Sequence, residues 1–152
     1  MKGFAPETFG KMHAETYDAL HDPGTTDDAV ALLGDLAGRG RTLELAIGTG
    51  RVALPLSQQG LDIAGFDASP DMLAKLKEKP GGERIPTFLA DIASFDLGER
   101  FDFAFLIFNT IYKLTTQADQ VACFQSVAKH LNRSGKFLVE TFMPNRETFE
   151  KH

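Results

Sequence analysis

Three carboxylates and a pair of glycines are the residues of this chain whose types and spacing could do chemistry. Glu44 sits inside an apolar run, Leu43 to Ile47, that leads into Gly48-Thr49-Gly50. Asp67 closes a second apolar run, Leu61 to Phe66, and Asp91 follows a third and shorter one, Ile85 to Leu89. An ionised carboxylate only accepts hydrogen bonds, so each acid suits a donor: an ammonium, vicinal hydroxyls or an exocyclic amine. Gly48 and Gly50 have no Cβ, which permits a sharp turn and a close approach by a ligand. The N–H groups that open the following helix then face whatever lies above that turn. Other reactive types offer less. Cys123 falls on the apolar side of a predicted helix and reads as a small core residue rather than a nucleophile. His13, His21, His130 and His152 lie far apart without ligand spacing, so no metal site is expected. No residue stands out as a general base.

The hydrophobic pattern supplies elements to position these groups. Leu43 to Asp67 reads as strand, glycine turn, helix and strand, half of a doubly wound nucleotide-binding sheet. In a helix interior Pro55 would clash with the carbonyl of Arg51, so the helix over Arg51–Gln59 must start close to Gly50. Asp67 then stands at the carboxyl end of the second strand, where it can accept from two ribose hydroxyls. Ser69 as N-cap and Pro70 as first helical residue open the next helix, with Met72, Leu73 and Leu76 on its buried side. Pro80-Gly81-Gly82 ends it. Ile85–Leu89 is a third strand. Phe101–Phe108, almost continuously apolar, fits a central parallel strand covered on both faces. It delivers Phe108, Asn109, Thr110 and Tyr112 to the crevice outside the strand ends. Thr116-x-x-Asp119 caps a helix with Val121, Phe124, Val127, Ala128 and Leu131 on one face. Asn132 to Gly135 turn the chain into a fifth strand, Phe137–Phe142. Upstream, a loose stripe from Phe9 to Leu20 ends at Asp22-Pro23-Gly24. Thr25-x-x-Asp28 then resembles a capping box for a helix carrying Val30, Leu33, Leu36 and Ala37. Right-handed crossovers give an α/β fold: a doubly wound, mostly parallel sheet of order 3-2-1-4-5 with helices on both faces.

Two ligand classes fit that turn. Gly48-Thr49-Gly50-Arg51-Val52-Ala53 satisfies G-x-G-x-x-A, as in a dinucleotide-dependent oxidoreductase. The surrounding residues favour another class. Glu44-x-Ala46-x-Gly48-x-Gly50 resembles the first motif of class I, Rossmann-like S-adenosylmethionine-dependent methyltransferases, with Ala46 in place of the first glycine. Asp67-Ala68-Ser69-Pro70-Asp71-Met72-Leu73 resembles their second motif. The resemblance spans residues from about 15 to 145 and includes Asp91 and the segment LNRSGKF. It implies a small-molecule methyltransferase with S-adenosyl-L-methionine as cofactor and S-adenosyl-L-homocysteine as product. It implies Glu44 near the methionine amino group, and Ala46, Gly48 and Gly50 beneath it. It further implies Asp67 and Ala68 at the ribose, Met72 against adenine, and the Asp91 carboxylate with the Ile92 backbone on the adenine edge. Tyr17 would touch the methionine end, although a packing role for Tyr17 reads equally well. Likewise Met72 can be a core methionine, and Asp91 can be a loop aspartate capping a turn.

Composition bounds the rest. With 152 residues and 43% hydrophobic content, one soluble globular domain is expected, N-terminal helices over 1–40 and a sheet core over 41–145. A net charge of −5 lacks the electrostatic footprint of a nucleic-acid binder. No apolar stretch nears the ~20 residues that span a bilayer. The first residues hold no apolar signal core, and a single cysteine allows no internal disulfide, so a cytoplasmic protein is expected. The family fold has seven strands, the last two an antiparallel hairpin beside the fifth. About ten residues follow Phe142, so the chain is expected to lack that hairpin, as a C-terminally truncated domain. Phe137–Phe142 would then be an open apolar edge, and a homodimer through it is expected. A non-catalytic remnant that binds the cofactor is the remaining alternative.

Overall fold

A computed structural model describes residues 24–142. Helix α1 (Thr26–Ala37) leads into β1 (Thr42–Leu45), α2 (Ala53–Gln58), β2 (Ile63–Asp67) and α3 (Pro70–Glu78). A 3-10 turn over Gly82–Arg84 precedes β3 (Thr87–Leu89) and β4 (Phe101–Leu106). A second, Thr110–Lys113, precedes α4 (Gln117–His130) and β5 (Leu131–Val139). The strands form one sheet in the order β3-β2-β1-β4-β5, as the crossover argument requires, and every pairing is parallel.

A parallel sheet must be covered on both faces, and two apolar clusters do this. On one face Val30 and Leu33 of α1, Leu56 of α2 and Leu76 of α3 pack against Ile63, Phe103 and Phe105. On the other, Cys123 and Val127 of α4 join Ile111 and Leu114 over Leu43, Leu45, Phe66 and Leu106. The alternation of Phe103 and Phe105 against Ala104 and Leu106 is the period-2 geometry of a strand. The order of connection reverses between β1 and β4: from β1 the chain moves to β2 on one side, from β4 to β5 on the other. The crevice above this switch is where an open α/β sheet binds ligands.

Several local expectations hold. Pro55 is the third residue of α2, where it removes no intrahelical bond, and Gly60 closes the helix with φ 92. Ser69 accepts from Met72 N–H at 3.3 Å, and Pro70 opens α3. Thr116 accepts from Asp119 N–H at 3.1 Å at the start of α4.

Others are corrected. Thr25 stands at the N-cap of α1 but makes no side-chain cap bond, so the capping box does not form. Leu36, assigned to the buried stripe, is 40% exposed. The buried face of α4 is Cys123, Ser126, Val127 and His130. Val121 and Phe124, expected inside, are each 49% exposed. A polar pair rotates this helix: Phe95 N–H donates to Ser126 Oγ at 3.4 Å, and Leu97 N–H donates to His130 Nε2 at 2.8 Å. Those bonds hold the 95–97 loop under the helix, which an apolar count cannot foresee. β5 begins at Leu131 and ends at Val139 rather than running from Phe137 to Phe142. Leu131 pairs with Phe101 and Lys136 with Phe103, so the Asn132–Gly135 excursion is an irregularity within the strand.

Candidate cofactor and active site

The turn after β1 is built on three left-handed residues, Ala46 (φ 54), Gly48 (φ 56) and Gly50 (φ 79). For Ala46 this backbone costs roughly 1 kcal/mol or more. It is held by the bond from Ile47 N–H to Phe66 O on β2, 2.9 Å long. The two glycines differ in purpose. A Cβ on Gly48 would meet nothing within 4 Å, so space lies open over it. A Cβ on Gly50 would come within 2.9 Å of Leu76, so its bareness admits α3.

Asp67 ends β2 beside this turn. Its Oδ2 accepts from Gly48 N–H and its Oδ1 from Ser69 N–H, both at 2.9 Å. With Ala68 N–H as a third donor, three of the roughly four acceptor sites of the carboxylate are engaged by backbone. Burial raises the carboxyl above its usual range, and the bonds from Ser69 and Gly48, the Lys113 charge and the bond from Ala68 oppose that rise. Lys113 comes from the 3-10 turn beyond β4. Burial lowers its ammonium, and the Asp67 charge opposes this.

Glu44, on the central strand, is only 5% exposed. Burial pushes its carboxyl well above the usual range, Asp67 reinforces this, and Arg51 and the Ala53 N–H oppose it. Its Oε2 has no hydrogen-bond partner among the described residues. The Arg51 guanidinium lies 4.3 Å over the ring of Phe108, joining the turn after β1 to the turn after β4. Phe108 and Asn109 are themselves consecutive left-handed residues, φ 56 and 59.

One cleft results, lined by Glu44, Ala46, Gly48, Arg51, Phe108 and Thr110. Asp67 adjoins it through Gly48. Asp91 lies beyond the end of β3, next to Asp67, because Ala90 N–H donates to Asp67 O at 3.0 Å. Asp91 Oδ1 accepts from Ala93 N–H at 2.9 Å, the turn-capping geometry of a loop aspartate. The Ile92 side chain packs in the second cluster, and Met72 is buried in α3. Asn109 and Tyr112 are not among the residues lining this cleft, and both contact Phe142. Asn109 Oδ1 accepts from Phe142 N–H at 2.7 Å, and the Tyr112 ring stands 5.0 Å from that of Phe142. Tyr17 lies outside the described residues. Arg51, Lys113 and Glu140 were not anticipated from sequence. The one signal for Arg51 is its position directly after the glycine pair.

Residues 42–135 match the methyltransferase domain family, and the chain belongs to it. Among solved structures it is similar to the CcbJ methyltransferase from Streptomyces caelestis. The likeness has 33% identity and a TM-score of 0.83, over 90% of this chain and 58% of that one. It is also similar to the glycopeptide N-methyltransferase MtfA complexed with S-adenosyl-L-methionine. There the identity is 28% and the TM-score 0.68, over 79% of this chain and 55% of that one. A curated relative is the dTDP-3-amino-3,4,6-trideoxy-alpha-D-glucopyranose N,N-dimethyltransferase of Streptomyces venezuelae. It is 29% identical over 84% of this chain and 56% of its own length. The chain spans about half the length of the curated relatives it matches. Family membership favours the methyltransferase reading of the glycine turn over the dinucleotide one.

Proposed function

We propose that this chain binds S-adenosyl-L-methionine above the ends of β1 and β4 and takes part in methyl transfer to a small-molecule acceptor, at an amine nitrogen. The carrying observation is Glu44: a buried carboxyl beside open space over Gly48, one oxygen without a partner. Such an acceptor suits the ammonium of an amino acid, and a buried polar atom left unsatisfied is costly. Asp67 and Asp91, at neighbouring strand ends, suit the ribose hydroxyls and the adenine amine. The residues therefore fit the cofactor.

The sulfonium of the bound cofactor supplies an activated methyl group, so the protein's part is alignment and exclusion of water. Ala46 and Gly48 shape the floor, Glu44 and Asp91 would hold the methionine and adenine ends of the donor with Asp67 at its ribose, and Phe108 with Arg51 closes one wall. Thr110 stands on the acceptor side, its Oγ1 donating to Ile107 O at 2.7 Å. An amine acceptor is supported by the relatives named for N-methylation. The net charge of −5 weighs against nucleic acid. Among the described residues no helix is long and apolar enough to cross a membrane. A reducing, cytoplasmic setting is part of the proposal, supported by the single buried thiol of Cys123.

Calorimetric titration with S-adenosyl-L-homocysteine, NAD and NADP tests the binding step. We expect binding of the first alone and, in a separate assay with S-adenosyl-L-methionine as the methyl donor, formation of S-adenosyl-L-homocysteine when amino sugars and other small amines are offered. Binding a dinucleotide and not the homocysteine compound would overturn the proposal. Binding without turnover of any acceptor would assign the non-catalytic alternative.

A further inference from the structure

Two successive residues with a Cβ, Phe108 and Asn109, adopt left-handed backbone at the carboxyl end of β4, with φ 56 and 59. Asn tolerates this backbone and Phe does so poorly, so the pair persists only when its surroundings impose it. The bonds that impose it come from the segment after β5. Glu140 N–H donates to Leu106 O at 3.0 Å, which extends the β4–β5 ladder past Val139. From that anchor the Glu140 carboxylate reaches over, and its Oε2 accepts from Phe108 N–H at 2.6 Å. Two bonds from one residue thus bracket Ile107. Beyond it, Phe142 N–H donates to Asn109 Oδ1 at 2.7 Å, and Tyr112 Oη donates to Phe142 O at 3.4 Å.

Opposite this clasp, Phe108 presents its ring to Arg51, whose charge acts on Glu44. The path from Glu140 to the cleft is therefore Glu140, Phe108, Arg51, Glu44. We propose that Glu140 is a positioning residue for the cofactor cleft: its carboxylate holds the strained Phe108–Asn109 turn so that Phe108 and Arg51 close the wall beside Glu44. The inference rests on the cofactor reading above. Without the acceptor on Phe108 N–H, the turn relaxes toward ordinary backbone and the ring leaves Arg51. The cleft then loses a wall while the sheet remains, because Glu140 is exposed and belongs to neither apolar cluster.

Glu140→Ala and Glu140→Gln in the 152-residue chain test this, since the glutamine amide oxygen accepts the same bond. Affinity for S-adenosyl-L-homocysteine is read by calorimetry, melting by circular dichroism, and the Phe108 amide by hydrogen exchange. We expect Glu140→Ala to weaken binding about tenfold or more, to expose the Phe108 amide to exchange, and to melt with the parent. Glu140→Gln should restore both affinity and protection. Equal affinity in the parent and Glu140→Ala would overturn the inference. So would equal weakening in both variants, which would make the charge rather than the bond responsible. A drop in melting that accounts for the lost affinity would also overturn it, as Glu140 would then only brace the fold. Failure of the parent itself to bind would overturn the cofactor reading, and this inference with it.

Discussion

Asp67 accepts from Gly48 N–H on one oxygen and from Ser69 N–H on the other, so it ties the glycine turn to the start of α3. Any bond to a ribose is made with the acceptor site left over. Asp67→Ala should therefore do two things at once. It should lower stability by ~1–3 kcal/mol through the two orphaned turn donors, and weaken S-adenosyl-L-homocysteine binding by ~2–4 kcal/mol. Urea unfolding and calorimetry separate the two effects, and unchanged affinity would remove Asp67 from the ribose. Glu44 carries a pH signature. Burial raises its carboxyl well above the usual 4.5, so the folded chain keeps that proton to higher pH than the unfolded chain does. The stability tied to this group is fully present below about pH 4.5 and is lost as pH rises through the folded value. Glu44→Gln cannot ionise. Its stability relative to the parent should improve steadily as pH climbs from about 4.5, measured by urea unfolding across a pH series. A difference independent of pH would mean that Arg51 fully offsets the buried charge.

Caps separate elements that look alike in sequence. Ser69 and Thr25 both precede helices, yet only Ser69 accepts a bond from the first turn. Ser69→Ala should cost about 1 kcal/mol, whereas Thr25→Ala should cost little, compared by denaturant midpoints. Equal losses would show that the helix start at Thr25 is stabilised in some other way. The same element-level lesson applies to α4. Its apolar spacing placed Val121 and Phe124 inward, but buried Ser126 and His130 must keep their bonds to the 95–97 loop, and the helix turns to suit them.

At the scale of the whole molecule, β5 pairs among the described residues on one side only, with β4. Phe137 and Val139 pack against the cluster under α4, and Leu138 against the other. The strand thus has a covered face on both sides and, among the described residues, an open hydrogen-bonding edge. We keep the proposal that two chains pair through this edge, and light scattering at micromolar concentration should give a dimer mass; a monomer throughout would end it. Val139→Lys does not probe that edge, because it drives a charge toward the core. It should cost at least ~2 kcal/mol and reduce the folded fraction by circular dichroism. A fully folded Val139→Lys chain would contradict the packing of Val139.

What the chain's own order of residues determined was periodic or punctuated. Apolar runs of strand length, the glycine pair, Pro55, Ser69-Pro70 and the strand-end acids made the sheet order and much of the cleft legible. Each rests on local backbone rules or on the handedness of crossovers, which operate within a few residues or one supersecondary unit. Tertiary structure decided what depends on contacts between distant segments. Gly50 makes room for Leu76, Asp67 braces two turns, and Arg51 meets Phe108 across the switch point. Asn109 and Tyr112, expected in the crevice, also fasten Phe142. The reason is physical: strand pairing brings the ends of β1, β4 and β5 together only once the sheet has formed. Buried donors and acceptors then find partners far away in sequence, to which no local periodicity points.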